Sequence, residues 1–165
     1  MSVQMVIENA RQLVPAQLDD RDVVVAFFGA LHHYNASLDL DFTLSDAWET
    51  IFDEQFRSSY NDPNMMWLLA KEGNKAIGLL IAGVHTDSAL FCHRQWVEVQ
   101  ALYVADNYRH QEIGQCLLSA AYTWAEGLKL SRVQLYVTAS NVRAQSLYAE
   151  EGFVTSQTIM CKTLW

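Results

Sequence analysis

Residues 98–115 read Glu-Val-Gln-Ala-Leu-Tyr-Val-Ala-Asp-Asn-Tyr-Arg-His-Gln-Glu-Ile-Gly-Gln. From Arg94 to Val104 the chain alternates loosely through Trp96, Glu98, Gln100 and Leu102, the two-residue period of a strand, which puts Glu98 and Gln100 on one face. From Ile113 to Leu128 the period changes: Ile113, Leu117, Ala121 and Trp124 recur at helical spacing, and Gly127 stands at the end. Val133 to Val137 is again a short β-branched run. A strand, a helix and a strand at roughly thirty-residue spacing predict a crossover unit with parallel strands. The turn from Tyr108 to Gln115 lies where the strand ends and the helix begins. The first N–H groups of a helix have no intrahelical acceptor, and such a place binds anions. Gly114 permits close backbone approach, and Arg109 adds a charge that pairs with phosphate in a fork geometry. A diphosphate is the guest this chemistry suits. Every strand-to-helix turn has free N–H groups, however, so this stretch alone leaves an anion site and a plain helix start both open.

Working outward, Val3 to Glu8 reads as a short strand leading through Pro15 into a helix from about Ala16 to Tyr34, with Val23, Phe27, Phe28 and Leu31 at helical spacing. A second helix starts at Ser45, with Glu49 in its first turn and Trp48, Ile51, Phe52 and Phe56 on its apolar face. Asn61, Asp62 and Pro63 break the chain. Met65–Lys71 and Lys75–His85 are aliphatic runs separated by Glu72, Gly73 and Asn74, the composition of a hairpin. Asn141 to Glu151 is a last helix closed by Gly152, and Phe153 onward, through Ile159 and Met160 to Leu164, reads as one more strand. The fold class is therefore α/β (α+β): a single mixed sheet, antiparallel in its N-terminal strands and parallel across the crossover, with helices on both faces.

Bulk properties narrow the function. The 165 residues, with 7 Gly, 2 Pro and no low-complexity tract or repeat, predict one domain over residues 1–165. No apolar stretch approaches membrane-spanning length, and residues 1–10 lack the charged start and apolar block of a signal peptide, so the expected compartment is the cytoplasm, with no membrane partner. Cys92, Cys116 and Cys161 are odd in number and widely spaced, which predicts buried reduced thiols. A formal charge of -8 without a basic patch argues against nucleic acid. His32, His33, His85, His93 and His110 lack metal-ligand spacing, so no metal is expected.

Leu102-Tyr103-Val104 before the turn, and Asn141, Ala144, Tyr148, Gly152 and Phe153 after it, give the chain a recognisable order. From about Glu98 to Val154 it resembles the Gcn5-related N-acetyltransferase family. That family's loop pattern is Arg or Gln, two residues, Gly, any residue, then Gly or Ala; here it is Arg109, Glu112 in place of the first Gly, then Gly114. The resemblance implies acetyl-CoA as cosubstrate, with its diphosphate held by Arg109, His110, Gln111, Glu112, Ile113, Gly114 and Gln115. The backbone of Leu102, Tyr103 and Val104 would pair with the pantetheine arm, Asn141 would contact the arm, and Ala144 would let it pass. Tyr148 would donate its hydroxyl proton to the departing thiolate. Asn141 is equally a helix cap, and Ala144 and Tyr148 are equally a helical pair. Glu112 either repels the diphosphate or sits in the first helical turn facing outward.

Acylating an amine requires that an ammonium lose a proton, and Glu98, sharing a face with Gln100, is the candidate base. No Gly-flanked serine elbow or cysteine-nucleophile motif is present, which favours direct transfer in a ternary complex. The acceptor pocket is expected between the first two helices, where Tyr34, Asp39, Asp41 and Phe42, with Gln100 opposite, would suit a small cationic primary amine. Two other readings stay open: a protein N-terminal or lysine acetyltransferase, and a non-catalytic acyl-CoA-binding regulatory module. A homodimer formed through the final strand is a further expectation.

Overall fold

The structure, a computed structural model, describes residues 6, 7 and 11–165. Six strands form one sheet whose spatial order follows the chain: β1 (Val6–Ile7), β2 (Arg11–Pro15), β3 (Met65–Glu72), β4 (Lys75–Thr86), β5 (Gln95–Val104) and β6 (Val133–Leu135). The first four junctions are antiparallel, and β5 to β6 is parallel. That single parallel junction is the crossover predicted from residues 94–137, and helix α3 (Ile113–Gly127) makes it. The β3–β4 hairpin closes on Glu72 opposite Lys75, with Gly73 at a left-handed φ of 59° that a side chain tolerates poorly.

Helices α1 (Arg21–Leu38) and α2 (Trp48–Ser59) cover one face of the sheet. They bury Val24, Val25, Phe52 and Phe56 against Trp67, Leu69, Leu79 and Ile81. On the other face α3 buries Ile113, Leu117, Leu118 and Ala121 against Leu68, Leu80, Ala82, Val97 and Val99. Covered on both sides, β3 and β4 read as continuous apolar runs. Gly78 on β4 lets α3 seat closely: a Cβ there would meet Leu117 Cδ1 and the Tyr103 carbonyl, each at 3.1 Å. The first turn of α3 is thereby fixed against the end of β5.

Several expectations are corrected. At the predicted start of the first helix, Ala16 and Gln17 are irregular, with Ala16 buried, Leu18–Asp20 is a 3-10 turn, and α1 begins at Arg21 and runs on to Leu38. Tyr34 consequently stands on a helix and not in a connection. Arg11–Pro15, read as a lead-in, is a strand; Pro15 is accommodated because it ends β2, opposite Leu68. Of the predicted Val3–Glu8 strand, Val6 and Ile7 are strand, and the rest lies outside the described residues. The predicted last strand does not form. Residues 153–165 have no regular structure, and Val154, Ile159, Met160, Leu164 and Trp165 are exposed. Strand composition gives a strand only where a neighbouring ladder exists, and the last backbone bond here is Phe153 N–H to the Tyr148 carbonyl, 2.9 Å. Cys92 and Cys161 are exposed, not buried, and Cys116 is half-buried. No described helix is long and apolar enough to cross a membrane.

Candidate active site

Strands β5 and β6 pair only from Val97 to Val99 with Val133 to Leu135. At that point β5 carries a bulge: Val99 faces Ala82 and Ala101 faces Ile81, leaving Gln100 as the extra residue. A bulge bends its strand and ends pairing. Beyond it β5 and β6 part, so the outer edge of Gln100–Val104 has no neighbouring strand. The opening is a cleft of ≈ 650 Å³ with Gln100 to Val104 on one wall and Leu135 to Thr138 on the other. Its floor at one end is the start of α3, α4 (Val142–Glu150) closes one side, and residues of α1 stand at the opposite end.

At the α3 end the first intrahelical bond is Cys116 N–H to the Glu112 carbonyl, 3.0 Å. The N–H groups of Ile113, Gly114 and Gln115 therefore have no intrahelical acceptor, and all three residues line the cleft. Arg109 also lines it, braced by Nε donating to the Val104 carbonyl at 3.2 Å and by an ion pair with Asp106 at 2.6 Å. Its guanidinium lies 5.9 Å over the Tyr103 ring. His110 and Glu112 both adopt left-handed backbone, φ 62° and 61°. The family-like Gly position thus needs a conformation that costs a side-chain-bearing residue about 1–2 kcal/mol. Glu112 is exposed, so its side chain is solvated while its carbonyl starts the helix. Glu112→Gly is expected to raise unfolding free energy by about 1 kcal/mol and to tighten acetyl-CoA binding. Parallel urea melts and titrations check this; a destabilised variant would show that the Glu112 side chain holds the turn.

Asn141 is buried and caps α4, its Oδ1 accepting from Ala144 N–H at 3.1 Å. Its Nδ2 reaches Asn35 Oδ1 at 3.5 Å, tying α4 to α1. Asn141, Ala144 and Tyr148 follow one another along the cleft side of α4. Burial pushes the Tyr148 phenol up to about 12, so it holds its proton at neutral pH. Its hydroxyl bonds to no other described residue, and its ring meets Phe153 edge-on at 5.6 Å.

The α1 end is walled by Leu31, His32, Tyr34, Asn35 and Phe42. His32 is half-buried and packs against Phe28 in a tilted pair with ring centroids 4.2 Å apart; burial first, and the charge of His33 second, lower its proton affinity below that of an ordinary histidine. Arg143 of α4 lies 5.0 Å over the Tyr34 ring.

Among the residues singled out from sequence, Leu102, Tyr103, Val104, Arg109, His110, Glu112, Ile113, Gly114, Gln115, Asn141, Ala144, Tyr148, Tyr34 and Gln100 share this cleft. Four do not stand on its walls. Gln111 is engaged by Arg11 and donates to the Asn107 carbonyl at 3.0 Å. Asp39 uses its carboxylate to accept from Asp41 N–H at 3.0 Å in the 3-10 turn Leu40–Phe42, and Asp41 is exposed on that turn. Glu98 precedes the bulge, where β5 and β6 are still paired; its Oε2 is buried without a hydrogen-bond partner. His32, Asn35 and Arg143 were missed. The signal for the first two was present, since Phe28, His32 and Asn35 continue one helical face toward the sheet.

A mixed sheet opened at a bulge, with a bare helix start at the cleft mouth, defines the Gcn5-related N-acetyltransferase fold. The chain belongs to the acetyltransferase (GNAT) family, whose model matches residues 30–153. Similar solved structures include a tetramutant of the BH1408 protein from Bacillus halodurans, at 19% identity and TM-score 0.82, covering 92% of this chain and 99% of that one. A GCN5-related N-acetyltransferase from Ralstonia eutropha is similar at 19% identity and TM-score 0.73, covering 93% and 98%. The aminoglycoside 6'-N-acetyltransferase AAC(6')-Ig from Acinetobacter haemolyticus is similar at 16% identity and TM-score 0.71, covering 92% and 96%. No curated protein matches the chain significantly.

Proposed function

We propose that this protein transfers an acetyl group from acetyl-CoA to the primary amine of a small cationic molecule, directly and within a ternary complex. The observation that carries the reading is the unpaired edge of Gln100–Val104, which leads from the α1 end of the cleft to the open N–H groups of α3. An exposed strand edge binds an extended amide chain by main-chain hydrogen bonds, which fits a pantetheine arm. The α3 N–H groups, the helix dipole and Arg109 fit the diphosphate at its far end.

Acetyl-CoA supplies an activated acyl thioester; the chain's own residues align it and move protons. A backbone N–H of Leu102 or Tyr103 on the free edge is available to the thioester oxygen as negative charge develops there. Tyr148, protonated and without a competing partner, donates to the leaving sulfur. The α1 end holds the acceptor, and a cleft of this volume is of small-molecule size. The aminoglycoside acetyltransferase among the fold relatives makes an aminoglycoside a natural first acceptor to try.

The test is thiol release from acetyl-CoA in the presence of spermidine, kanamycin or a lysine-containing peptide. Turnover with spermidine or kanamycin above that with the peptide is expected. Preference for the peptide would make the protein a protein acetyltransferase, and acetyl-CoA binding without turnover on any amine would make it a binding module.

A further inference from the structure

We propose that His32 is the base that takes the proton from the acceptor's ammonium group, an inference that rests on the acetyl-transfer reading above. Amine attack needs a neutral nitrogen, so a proton acceptor has to stand at the acceptor end of the cleft. Three carboxylates that sequence reasoning would nominate are off the cleft walls: Glu98 lies before the bulge, and Asp39 and Asp41 lie on the 3-10 turn. The wall carboxylate Glu112 starts α3 at the other end, and Glu150 is exposed in the last turn of α4. Of the ionisable wall residues at the α1 end, Tyr34 and Arg143 offer a phenol and a guanidinium, neither of which is a base at neutral pH. His32 remains.

The imidazole is held for this role. It packs against Phe28 with the ring centroids 4.2 Å apart and the planes tilted by 46°, and Phe28 stacks in turn on buried Phe52 at 3.8 Å, which supports the ring from the core side. No ring nitrogen of His32 hydrogen-bonds to another described residue, so a lone pair is free. The charged groups on elements around α1 are Asp20 before it, Glu49, Asp53, Glu54 and Arg57 on α2, Asp39 and Asp41 on the turn, Glu98 on β5 and Arg143 on α4. Burial and the charge of His33 lower the proton affinity of His32, and both favour the neutral base.

The step balances as follows. A His32 ring nitrogen accepts the ammonium proton, directly or through one water, and the freed nitrogen lone pair forms the C–N bond to the acyl carbon. The C–S bond breaks with its electron pair leaving on sulfur, and the sulfur takes the Tyr148 hydroxyl proton. The second proton of the attacking nitrogen, acidic once the C–N bond has formed, passes through water to the Tyr148 oxygen and restores the phenol, and the imidazolium gives its proton to solvent, so the ammonium and thioester yield a neutral amide, a thiol and one free proton.

The deciding experiment is the pH dependence of kcat for the native protein, His32→Gln and Glu98→Gln, with spermidine and kanamycin as acceptors and acetyl-CoA affinity measured alongside. The native protein is expected to show an acid limb below pH 6.5, activity falling as His32 becomes protonated. His32→Gln is expected to lose that limb and about 10²–10⁴ of kcat with unchanged acetyl-CoA affinity, while Glu98→Gln keeps the limb. A limb unchanged in His32→Gln, or abolished in Glu98→Gln, overturns the inference and leaves acetyl transfer standing. If His32→Gln also loses acetyl-CoA binding, the Glu98→Gln profile alone decides in the same sense. Absence of transfer by the native protein removes the acetyl-transfer reading and this inference with it.

Discussion

Tyr148→Phe is expected to lower kcat by about 10²–10⁴ while leaving acetyl-CoA affinity unchanged, the signature of a lost general acid. The substitution deletes one oxygen and keeps the ring that meets Phe153 edge-on and packs on the α3 core. Burial raises the phenol to about 12. Its acid form is therefore present throughout the neutral range and is lost only as pH rises through that value, so ionisation of Tyr148 places no alkaline limb below about pH 11. Steady-state thiol release read beside calorimetric titration separates the two constants. An unchanged kcat would mean that the thiolate takes its proton from water and that Tyr148 only packs.

The largest expected effect on stability is at Leu117. The side chain is wholly buried and fills the space between α3 and β4, where Gly78 leaves room for its Cδ1 against the strand. Leu117→Ala is expected to cost about 2–5 kcal/mol, the transfer free energy of the lost methyl groups plus the cavity that β4 cannot close. Against a total stability of about 5–15 kcal/mol that is a large fraction. Loosening α3 also moves the N–H groups of Ile113–Gln115, so acetyl-CoA affinity should fall in folded protein as well. Urea denaturation gives the first quantity. A cost under about 1 kcal/mol would contradict the seating of α3 described above.

The crossover and its helix were legible in residues 94–137 because one-sided burial imposes a clear period there. The same holds for α4, whose Asn141 cap and Gly152 stop are local signals. What was not legible depends on neighbours. Arg11–Pro15 is a strand because β3 lies beside it, and residues 153–165 are not one because nothing lies beside them. The bulge at Gln100 is equally non-local: it arises from the register of β4 against β5, and it sets Gln100 on the cleft wall while Glu98 stays in the part of β5 still paired with β6. At the α3 end of the cleft, sequence order was sufficient to place the open helix start, since a helix start presents backbone groups whatever its side chains. At the α1 end it was not, because α1 extends past Tyr34 and turns His32 and Asn35 into wall residues.

The central claim is that the cleft takes acetyl-CoA with its diphosphate on the first turn of α3, and Arg109→Ala tests it most directly. Arg109 lines the cleft beside the open N–H groups, and its ties are local: Nε donates to the Val104 carbonyl at 3.2 Å, and the guanidinium pairs at 2.6 Å with Asp106, an exposed residue three positions away. Losing a partly exposed pair of this kind is expected to cost about 1 kcal/mol or less of stability, while it removes a full positive charge from the diphosphate end. Calorimetric titration with acetyl-CoA is predicted to show saturable one-to-one binding by the native protein and clearly weaker binding by Arg109→Ala at nearly unchanged stability. No binding by the native protein at millimolar ligand, or equal affinity in both, would contradict the account.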